Sequence, residues 1–525
     1  MKRIQILDCT LRDGGYCNNC CFGFENEKKI INGLLEANID IIECGFFLNT
    51  IEYIPGKTKF TSMKQIAEII PADREGKMFV ALADYGIFSP ESLPEYDGTS
   101  LDGLRIAFHK KNRIEGIEDC KKVKNKGYKV FVQAMVSLLY TDEEFLDLIY
   151  RINELEPYAF YIVDSFGVMK RKDLIRLFYL VDHNLKKNIR IGFHSHNNMQ
   201  LAYSNAQSLI DLQTDRELII DSSVYGMGRG AGNLNTELFV QYLNENNAGK
   251  YLLKPLLTII DEILSGFYQT NPWGYSLPNY LSAAHNIHPN YAGYLNDKNT
   301  LTVENMDEIF SMMDAEKKYT YDEKYIEKLY LRYMETGKAY EGHLEELKRK
   351  IEGKIILLIA PGKSSENEKE KILNFVKENN ALIIGVNSEY HYVKTDFIFL
   401  SNLRRFRDLP SDKKQKCIVT SNIPSDGIYL QVKYKDFLSN VEPVKDNAGL
   451  MAIKLMIKLG AKEVYLAGFD GYAHDDTENY ANQQMAFITK NAILDAMNIG
   501  MIEVLKDYSK KIPIIFLTSQ KYLIF

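Results

Sequence analysis

The stretch that decides the fold is "RIQILDCTLRDGG", residues 3–15, in which an apolar run ends in an Arg-Asp pair and two glycines. The run has the length and β-branched content of a strand, and the glycines favour a turn directly after it. Arg12 and Asp13 therefore stand at the carboxyl end of a predicted strand. If the same pattern recurs along the chain, it predicts a parallel α/β sheet with polar groups along one edge.

Seven further strand-like runs follow, each with a helix-compatible segment after it. They cover residues 39–47, 77–85, 103–109, 128–136, 159–166, 189–196 and 218–226. Eight βα units in about 245 residues predict an α/β fold of the (β/α)8 TIM-barrel type, with an open doubly wound sheet as the alternative. Polar residues near the ends of these runs favour the barrel, namely Glu43, Asp84, His109, Gln133, Asp164 and Asp221.

Two more segments follow the predicted barrel of residues 1–245. Residues 246–350 predict a helical extension and linker, and residues 351–525 predict a Rossmann-like α/β domain with six or seven strands. Within the extension, His285 and His288 are three residues apart and share one face of a helix. They either reach into the barrel mouth or serve the structure alone.

Composition excludes several classes of protein. The 64 basic and 70 acidic residues give a net charge of −6, which is not typical of a nucleic-acid or membrane-surface partner. With no long apolar run and seven cysteines, we expect a cytoplasmic protein without a signal peptide or disulfide framework. No second Cys-x-x-Cys accompanies Cys17, Cys20 and Cys21, so these are expected to be small loop residues and not metal ligands.

The segment "GFHSHNN", residues 192–198, places two histidines on the seventh predicted strand. Residues two apart in a strand point the same way, so His194 and His196 are expected to face the mouth together with Asp13. Two imidazoles and a carboxylate can bind a divalent cation and leave coordination positions open for substrate. The alternative is that the two histidines are polar strand residues that bind no metal. Arg12 beside them would stabilise an enolate, or it would only form an ion pair with Asp13 or Glu43.

The loop "YGMGRGAGNLNTE", residues 225–237, follows the eighth run and contains four glycines. Such a loop brings backbone N–H groups close to a carboxylate or a phosphate, which makes Gly228 and Gly230 candidates for substrate binding. Asn233 either caps the following helix or reaches the metal.

Taken together, "LDCTLRDGG", "GFHSHNN" and "GMGRGAGNLNTE" resemble the DRE-TIM metallolyase (HMGL-like) family over roughly residues 1–300, and most of all its 4-hydroxy-2-oxovalerate aldolases. The resemblance implies a carbon-carbon lyase that cleaves or forms a 4-hydroxy-2-oxo acid from pyruvate and an aldehyde, with one Mn2+ or Mg2+. It assigns the cation to Asp13, His194 and His196, the enolate to Arg12, and a place near the substrate to Ser165 of "VDSFG"; Asn233, from its position after the glycine-rich loop, is a further candidate for the metal.

One position departs from that resemblance. The aldolases carry a histidine as base four residues after the arginine, and this chain has Tyr16 there. A phenol with a pKa of about 10 is a poor base at neutral pH. Hydroxide on the metal, His109, His285 and His288 are the alternatives, or else the substrate differs. A Claisen-type synthase acting on an acyl-CoA and a 2-oxo acid, and a non-catalytic scaffolding protein with a degenerate barrel, are the competing functions.

The last segment points to a different ligand. "APGKS", residues 360–364, lacks the glycine of a P-loop, although a strand, a glycine turn and a helix start can still receive a phosphate. Residues 446–472 resemble bacterial lipooligosaccharide sialyltransferases and pterin-pyrophosphokinase-like domains, which implies a nucleotide or sugar-phosphate ligand. The candidate contacts are Gly362, Asn402, Asn447 and Asp470. We also expect a homodimer and a place in surface polysaccharide or unusual sugar biosynthesis.

Overall fold

The computed structural model describes residues 4–246, 249–298, 300–335, 341–424, 429–482, 485 and 491–522. The chain forms two compact units. The first contains Met1–Gly293 and Lys318–Thr320, and the second contains Tyr294–Lys317 and Tyr321–Phe525. The boundaries expected at residues 245 and 350 stay a prediction.

The first unit is a closed barrel of eight parallel strands. They are β1 (Ile4–Asp8), β2 (Ile41–Phe47), β3 (Met78–Asp84), β4 (Gly103–Phe108), β5 (Lys129–Ala134), β6 (Ala159–Asp164), β7 (Arg190–Ser195) and β8 (Leu218–Ser222). A two-residue strand, Lys59–Phe60, pairs with β2. The barrel closes because β1 pairs with β2 on one side and with β8 on the other. This confirms all eight predicted strands and excludes the open sheet.

Helices surround the barrel and continue beyond it. They are α1 (Phe24–Glu36), α2 (Met63–Ala67), α3 (Arg113–Asn125), α4 (Asp142–Leu155), α5 (Arg171–Asn184), α6 (Ala202–Asp211), α7 (Thr236–Asn246), α8 (Leu253–Ile259), α9 (Ser265–Thr270), α10 (Leu277–Ala284) and α11 (Pro289–Asp297). A π-helical turn, Ile260–Leu264, joins α8 to α9. Helix α4 shows how the sequence sets such bounds: Thr141 and Glu144 form a capping box at its start, and Glu156 ends it with a left-handed backbone.

Part of the barrel interior is apolar. In β1, Ile6 belongs to the large apolar cluster shared with the helices, whereas Leu7 belongs to a smaller cluster made almost entirely of strand residues. Because alternate residues of a strand face opposite sides, Leu7 points into the barrel, where Phe131 and Tyr161 also lie. This apolar cluster fills part of the interior, which also holds the buried charged side chains of Glu43, Arg105 and Asp221.

The second unit contains a seven-stranded sheet in which all the strands are parallel. The strands are β9 (Ile355–Ile359), β10 (Leu382–Val386), β11 (Phe397–Leu400), β12 (Cys417–Thr420), β13 (Leu430–Val432), β14 (Glu463–Ala467) and β15 (Ile514–Phe516), in the order β13-β12-β11-β10-β9-β14-β15. The predicted second α/β sheet is therefore confirmed. Strand order reverses between β9 and β14, which is where ligands bind in open parallel sheets.

Eight helices of the second unit complete the described structure. They are α12 (Val303–Ser311), α13 (Glu323–Met334), α14 (Glu341–Ile351), α15 (Ser364–Asn367), α16 (Lys369–Glu378), α17 (Leu403–Asp408), α18 (Ala448–Lys458) and α19 (Asn491–Ser509). Helix α18 begins at Asn447, whose Oδ1 accepts from the backbone N–H of Leu450 at 3.2 Å. Among the described helices, none combines the length and the apolar character needed to cross a membrane.

Candidate functional site

A cavity of about 260 Å³ opens at the carboxyl ends of the barrel strands. Its lining includes most of the candidate residues of the barrel: Arg12, Asp13, Tyr16, His109, Ser165, His194, His196 and His288. His285 lies at the end of α10, outside this lining. Residues that are far apart in the sequence therefore meet at the place where barrel folds carry their chemistry.

Three of these side chains form a candidate metal site. Asp13, His194 and His196 each offer one ligand atom, and these atoms all lie within 4.8 Å of one another. All three side chains are buried. In the described part of the chain, this is the group of His, Cys, Asp and Glu residues whose spacing fits a metal ion.

The two imidazoles differ in their neighbours, and each leaves a ring nitrogen available to a cation. His194 Nδ1 lies 2.9 Å from Asp221 Oδ2, which leaves Nε2 for a ligand bond. His196 Nδ1 is buried without a hydrogen-bond partner, and burial lowers the pKa of His196 to about 3, so that its ring is neutral. Asn233 donates to Asp13 Oδ2 at 2.6 Å, while its own Oδ1 is buried and unpartnered. These unsatisfied acceptors fit a divalent cation.

A network of buried charges connects this group to Arg12. Glu43 Oε2 accepts from Arg12 Nε at 2.8 Å and lies 2.7 Å from Arg105 Nη1, while Arg105 Nη2 bonds to Asp221. Arg12 Nη1 also donates to Asp13 Oδ1 at 2.7 Å. Both ion pairs considered for Arg12 are thus present, and they leave it in the cavity lining beside the metal ligands.

The charge balance of this network favours an added cation. Three buried carboxylates, Asp13, Glu43 and Asp221, face two buried guanidinium groups. Burial opposes ionisation of Asp13, but the charged groups around it, among them the permanently protonated Arg12, outweigh this effect and hold the pKa of Asp13 well below the usual range. A divalent cation would turn an excess of one negative charge into an excess of one positive charge. The mouth would then attract an anionic ligand.

Arg105 was missed in the sequence. It lies in the middle of β4, is fully buried, and pairs with both Glu43 and Asp221. The signal was an arginine inside the apolar run "GLRIAFH", which only a buried partner explains. Arg229 was missed as well, although it stands within the glycine-rich loop and lines the cavity.

The glycine-rich loop packs closely over the metal ligands. A Cβ on Gly228 would lie 2.2 Å from Asn233 Nδ2 and 2.9 Å from Asp13 Oδ2, so no side chain fits there. Gly230 has φ +68°, and a Cβ on it would lie 2.7 Å from Asn198 Oδ1. The cavity lining includes Arg229 between them but neither glycine. Substrate binding by Gly228 and Gly230 stays a prediction.

Ser165 holds a strained part of the cavity wall. Its Oγ accepts from the backbone N–H of Val136 at 2.9 Å, and Val136 has φ 54°, a left-handed conformation that β-branched residues rarely adopt. Strain of this kind persists only where the surroundings enforce it, and it concentrates at functional sites.

The candidate bases differ in their protonation. Desolvation raises the pKa of Tyr16 to about 12, although this side chain keeps 44% of its surface accessible. Burial lowers the pKa of His288 to about 3, and its Nδ1 accepts from the backbone N–H of Asn290 at 3.2 Å. Burial also lowers the pKa of His109. At neutral pH the phenol is therefore protonated and both imidazoles are neutral.

The cysteines of the first loop are thiols with different surroundings. Cys20 is buried, Cys17 is half-buried and donates from Sγ to the carbonyl of Gly228 at 3.2 Å, and Cys21 is exposed. No disulfide bond joins any of the seven cysteines, all of which lie in the described part of the chain. The thiol of Cys17 ties the loop after β1 to the glycine-rich loop.

The second unit has its own, larger cavity at the point where strand order reverses. It measures about 580 Å³ and is lined by Gly362, Asn402, Asn447, Asp470 and Tyr472 among others. The N–H of Ser364 donates to Asp470 Oδ2 at 2.7 Å, so a carboxylate already occupies the start of α15. The lining contains five acidic residues, Asp297, Glu323, Glu442, Asp446 and Asp470, and two basic ones, Lys298 and Arg405.

Comparisons with known proteins concern about half of the chain. Residues 108–259 match the HMGL-like family model. A 4-hydroxy-2-oxovalerate aldolase from Geobacillus genomosp. 3 is 29% identical over 275 residues, which cover 49% of this chain and 78% of that protein. 4-hydroxy-2-oxovalerate aldolase 2 from Comamonas testosteroni is 26% identical over 246 residues, 46% of this chain and 68% of that protein.

One solved structure shares both fold and sequence with this chain. It is the N-terminal domain of a predicted aldolase from Bacteroides vulgatus, which is 29% identical and aligns with a TM-score of 0.50. The match covers 98% of that domain and 57% of this chain. None of these three matches covers more than 57% of the chain, and the resemblance noted for residues 446–472 stays a prediction.

Proposed function

The barrel of this chain belongs to the DRE-TIM metallolyases of the HMGL-like group, and on this premise we propose that it is a divalent-metal-dependent pyruvate aldolase. As a carbon-carbon lyase, it cleaves a 4-hydroxy-2-oxo acid into pyruvate and an aldehyde, or joins the two. The observation that carries the proposal is that Asp13, His194, His196 and Arg12 meet in one cavity.

The proposed cofactor is one Mn2+ or Mg2+, held by Asp13, His194 and His196, with Asn233 Oδ1 as a further donor. A carboxylate and an amide oxygen suit these hard cations, and imidazoles are accepted by Mn2+ in particular. The bound cation would act as a Lewis acid that polarises the 2-oxo group of the substrate.

Arg12 supplies the fixed positive charge for the enolate. Its guanidinium is always protonated, and hydrogen bonds to Glu43 and Asp13 hold it in place before the substrate arrives. In cleavage, the C3–C4 bond breaks, its electron pair moves into the pyruvate enolate, and the 4-hydroxyl group loses its proton as the aldehyde forms. Positive charge that is already in place beside the enolate oxygen lowers the activation free energy of that step.

We propose that His109 is the base that accepts the proton of the 4-hydroxyl group. Tyr16, with a pKa of about 12, stays protonated and acts as a hydrogen-bond donor to the substrate. His288 accepts a bond at Nδ1, so its neutral ring carries the proton on Nε2 and cannot accept another there. His109 is the remaining imidazole of the lining outside the metal ligands.

A pyruvate-release assay with 4-hydroxy-2-oxovalerate tests this function. We expect release that needs Mn2+ or Mg2+ and proceeds without coenzyme A. Thiol release from acetyl-CoA in the presence of a 2-oxo acid would instead favour a Claisen-type synthase. Bound metal below stoichiometry and no turnover of any 2-oxo acid would favour a scaffolding protein.

For the second unit we propose a nucleotide or sugar-phosphate ligand that binds with a divalent cation. The support is that Gly362, Asn402, Asn447 and Asp470 line one cavity at the strand-order reversal. The acidic excess of the lining opposes a bare phosphate, so binding of CMP or ATP measured by calorimetry should need Mg2+. The homodimer, the cytoplasmic location and the role in polysaccharide biosynthesis stay predictions.

A further inference from the structure

The barrel mouth contains a second guanidinium group, that of Arg229, which lacks the partners of Arg12. Among the described residues it forms no ion pair with a carboxylate. Its Nη2 lies 3.5 Å from the carbonyl oxygen of Ser165, and its Nε is buried without a hydrogen-bond partner. The guanidinium carbon lies 5.2 Å from the centre of the Tyr16 ring. A buried guanidinium donor that is left without a partner is costly unless an anion joins it.

The charge of Arg229 extends across the cavity. Burial, followed by the positive charge of Arg229, lowers the pKa of His288. Arg12 forms ion pairs with Asp13 and Glu43, whereas Arg229, which forms none among the described residues, adds positive potential to the cavity lining. An anionic substrate group would therefore be drawn to Arg229.

The loop holds Arg229 in a defined position. On one side, the carbonyl of Gly228 accepts from Cys17 Sγ at 3.2 Å, and on the other the N–H of Ala231 donates to Asn198 Oδ1 at 2.7 Å. Because the backbone on both sides of Arg229 is held, little loop ordering is needed when a ligand binds, which suits specific recognition of an anion.

There is room for a substrate on the side of Arg229. A second cavity of about 320 Å³ shares Val136, Val163, Ser165 and Phe166 with the barrel mouth. Its other lining residues include two basic side chains, Lys170 and Lys172, and two acidic ones, Asp164 and Asp173. Arg229 lines the barrel mouth, and its Nη2 lies 3.5 Å from the carbonyl oxygen of Ser165, a residue that lines both cavities. A substrate held at the metal ligands could extend past Arg229 into this space.

We propose that Arg229 binds an anionic group, a carboxylate or a phosphate, on the aldehyde part of the substrate. The inference rests on the proposed aldolase function, in which the 2-oxo acid end is bound by the metal ligands and Arg12. It narrows the substrates to 4-hydroxy-2-oxo acids that carry a second negative charge beyond C4. Arg229 is a specificity residue and takes no part in bond breaking.

The test compares aldehydes that differ in charge. Pyruvate is added to D-glyceraldehyde 3-phosphate or D-glyceraldehyde, and to succinic semialdehyde or butanal, and kcat/KM is measured for each. We expect the wild type to favour the anionic member of at least one pair, and the favoured pair tells phosphate from carboxylate. Arg229→Ala should lower the anionic-to-neutral ratio by about 10- to 100-fold, the usual loss for a charged hydrogen bond.

Two further variants keep the test decisive. Arg229→Lys keeps the charge but not the planar fork, so it should retain part of the preference, and it also guards against a poorly folded alanine variant. Arg151→Ala removes an exposed arginine of α4 that pairs with the exposed Asp147, and it should leave the ratio unchanged. Using the ratio cancels any loss that is common to all aldehydes.

The outcomes separate this inference from the proposed function. Solvent deuterium exchange into the pyruvate methyl group needs no aldehyde, so its absence at every divalent cation would overturn the aldolase itself. If exchange occurs but Arg229→Ala and Arg229→Lys leave the ratio as in the wild type, the role of Arg229 is wrong. Equal losses for anionic and neutral aldehydes would also overturn it, because Arg229 would then serve the shared pyruvate end or the fold.

Discussion

The barrel mouth and the cavity of the second unit both lie at the carboxyl ends of parallel strands, yet they differ in what their polar groups do. In the smaller cavity, of about 260 Å³, buried acceptors of His196 and Asn233 are left without partners beside Asp13. In the larger one, of about 580 Å³, Asp470 is bonded to Ser364 and Asn447 caps a helix, and the unpartnered acceptor Asn387 Oδ1 is joined by no second one among the described lining residues. Cavity size therefore locates a site, whereas unsatisfied groups that converge identify its chemistry.

The largest expected effect is the loss of activity when the metal ligands are changed. Asp13→Asn removes the carboxylate that faces both imidazoles, and we expect pyruvate release to fall by at least about 1000-fold together with the bound metal. Enzyme assays and metal analysis of the purified protein measure both. Asp147→Asn, an exposed aspartate of α4, is the control. Full activity in Asp13→Asn, or in metal-stripped wild type, contradicts the site.

The buried charges of the mouth should also matter for stability. Arg105→Met leaves Glu43 and Asp221 without their shared guanidinium, and we expect a loss of about 3–5 kcal/mol in the free energy of unfolding. Urea unfolding of the whole chain should show the loss in the barrel transition alone. Arg151→Met, which breaks only an exposed ion pair, should change little. If the barrel transition of Arg105→Met were unchanged, the ion pairs of Arg105 with Glu43 and Asp221 would not stabilise the barrel.

The third prediction concerns the pH dependence of stability and uses a buried carboxyl group that forms no ion pair among the described residues. Glu27 is buried in α1 with Oε1 unpartnered, and desolvation raises its pKa to about 7. Its ionisation is opposed in the folded state, so wild-type stability should fall as pH rises from about 4.5 through about 7. Glu27→Gln should remove up to about 3 kcal/mol of that loss at pH 8 and change little at pH 5.

Glu25→Gln in the same helix is the control, because Glu25 is exposed. Unfolding curves at the two pH values decide the matter. A stability gain of equal size at pH 5 and pH 8 would show that packing, and not ionisation, limits Glu27. Glu27 would then no longer be an example of a destabilising unpaired acid with which the paired charges of the mouth can be compared.

The smallest effect belongs to the second unit. Asn447→Ala removes the cap of α18, and we expect a loss of about 1 kcal/mol that appears in the transition of the second unit. Thr141→Ala removes the corresponding cap of α4 and should lower the barrel transition instead. If Asn447→Ala left stability unchanged while CMP or ATP binding disappeared, Asn447 would be a ligand contact first and a cap second.

Much of the fold could be read from the sequence because each strand carries a local pattern. The eight barrel strands and the second parallel sheet follow from short β-branched runs between helical segments. Asp13, His194 and His196 could be placed together because strand ends meet at one edge of a barrel. The predicted strands are one to four residues longer than the observed ones, because the polar residues of a turn give little indication of where strand pairing ends.

The rest depends on contacts between distant segments. The partners of Arg105 come from β2 and β8, and the environment of Arg229 comes from loops at opposite ends of the barrel sequence. The high pKa of Tyr16 arises from desolvation, which no local pattern reports. In the second unit, Asp470 fills the start of α15 from 106 residues away. Such contacts join residues that are far apart in the chain, and they leave no periodic pattern in a single sequence.

The most direct test of the barrel mouth is proton exchange at the methyl group of pyruvate. Pyruvate in D2O is incubated with the whole chain and Mg2+, and the methyl signal is followed by NMR. We predict a loss of signal that stops with a chelator, returns with Mg2+ or Mn2+, and is absent in Asp13→Asn but normal in Asp147→Asn. Exchange that persists in the chelator or in Asp13→Asn, or none with any divalent cation, would contradict a metal-dependent pyruvate enolate at this site.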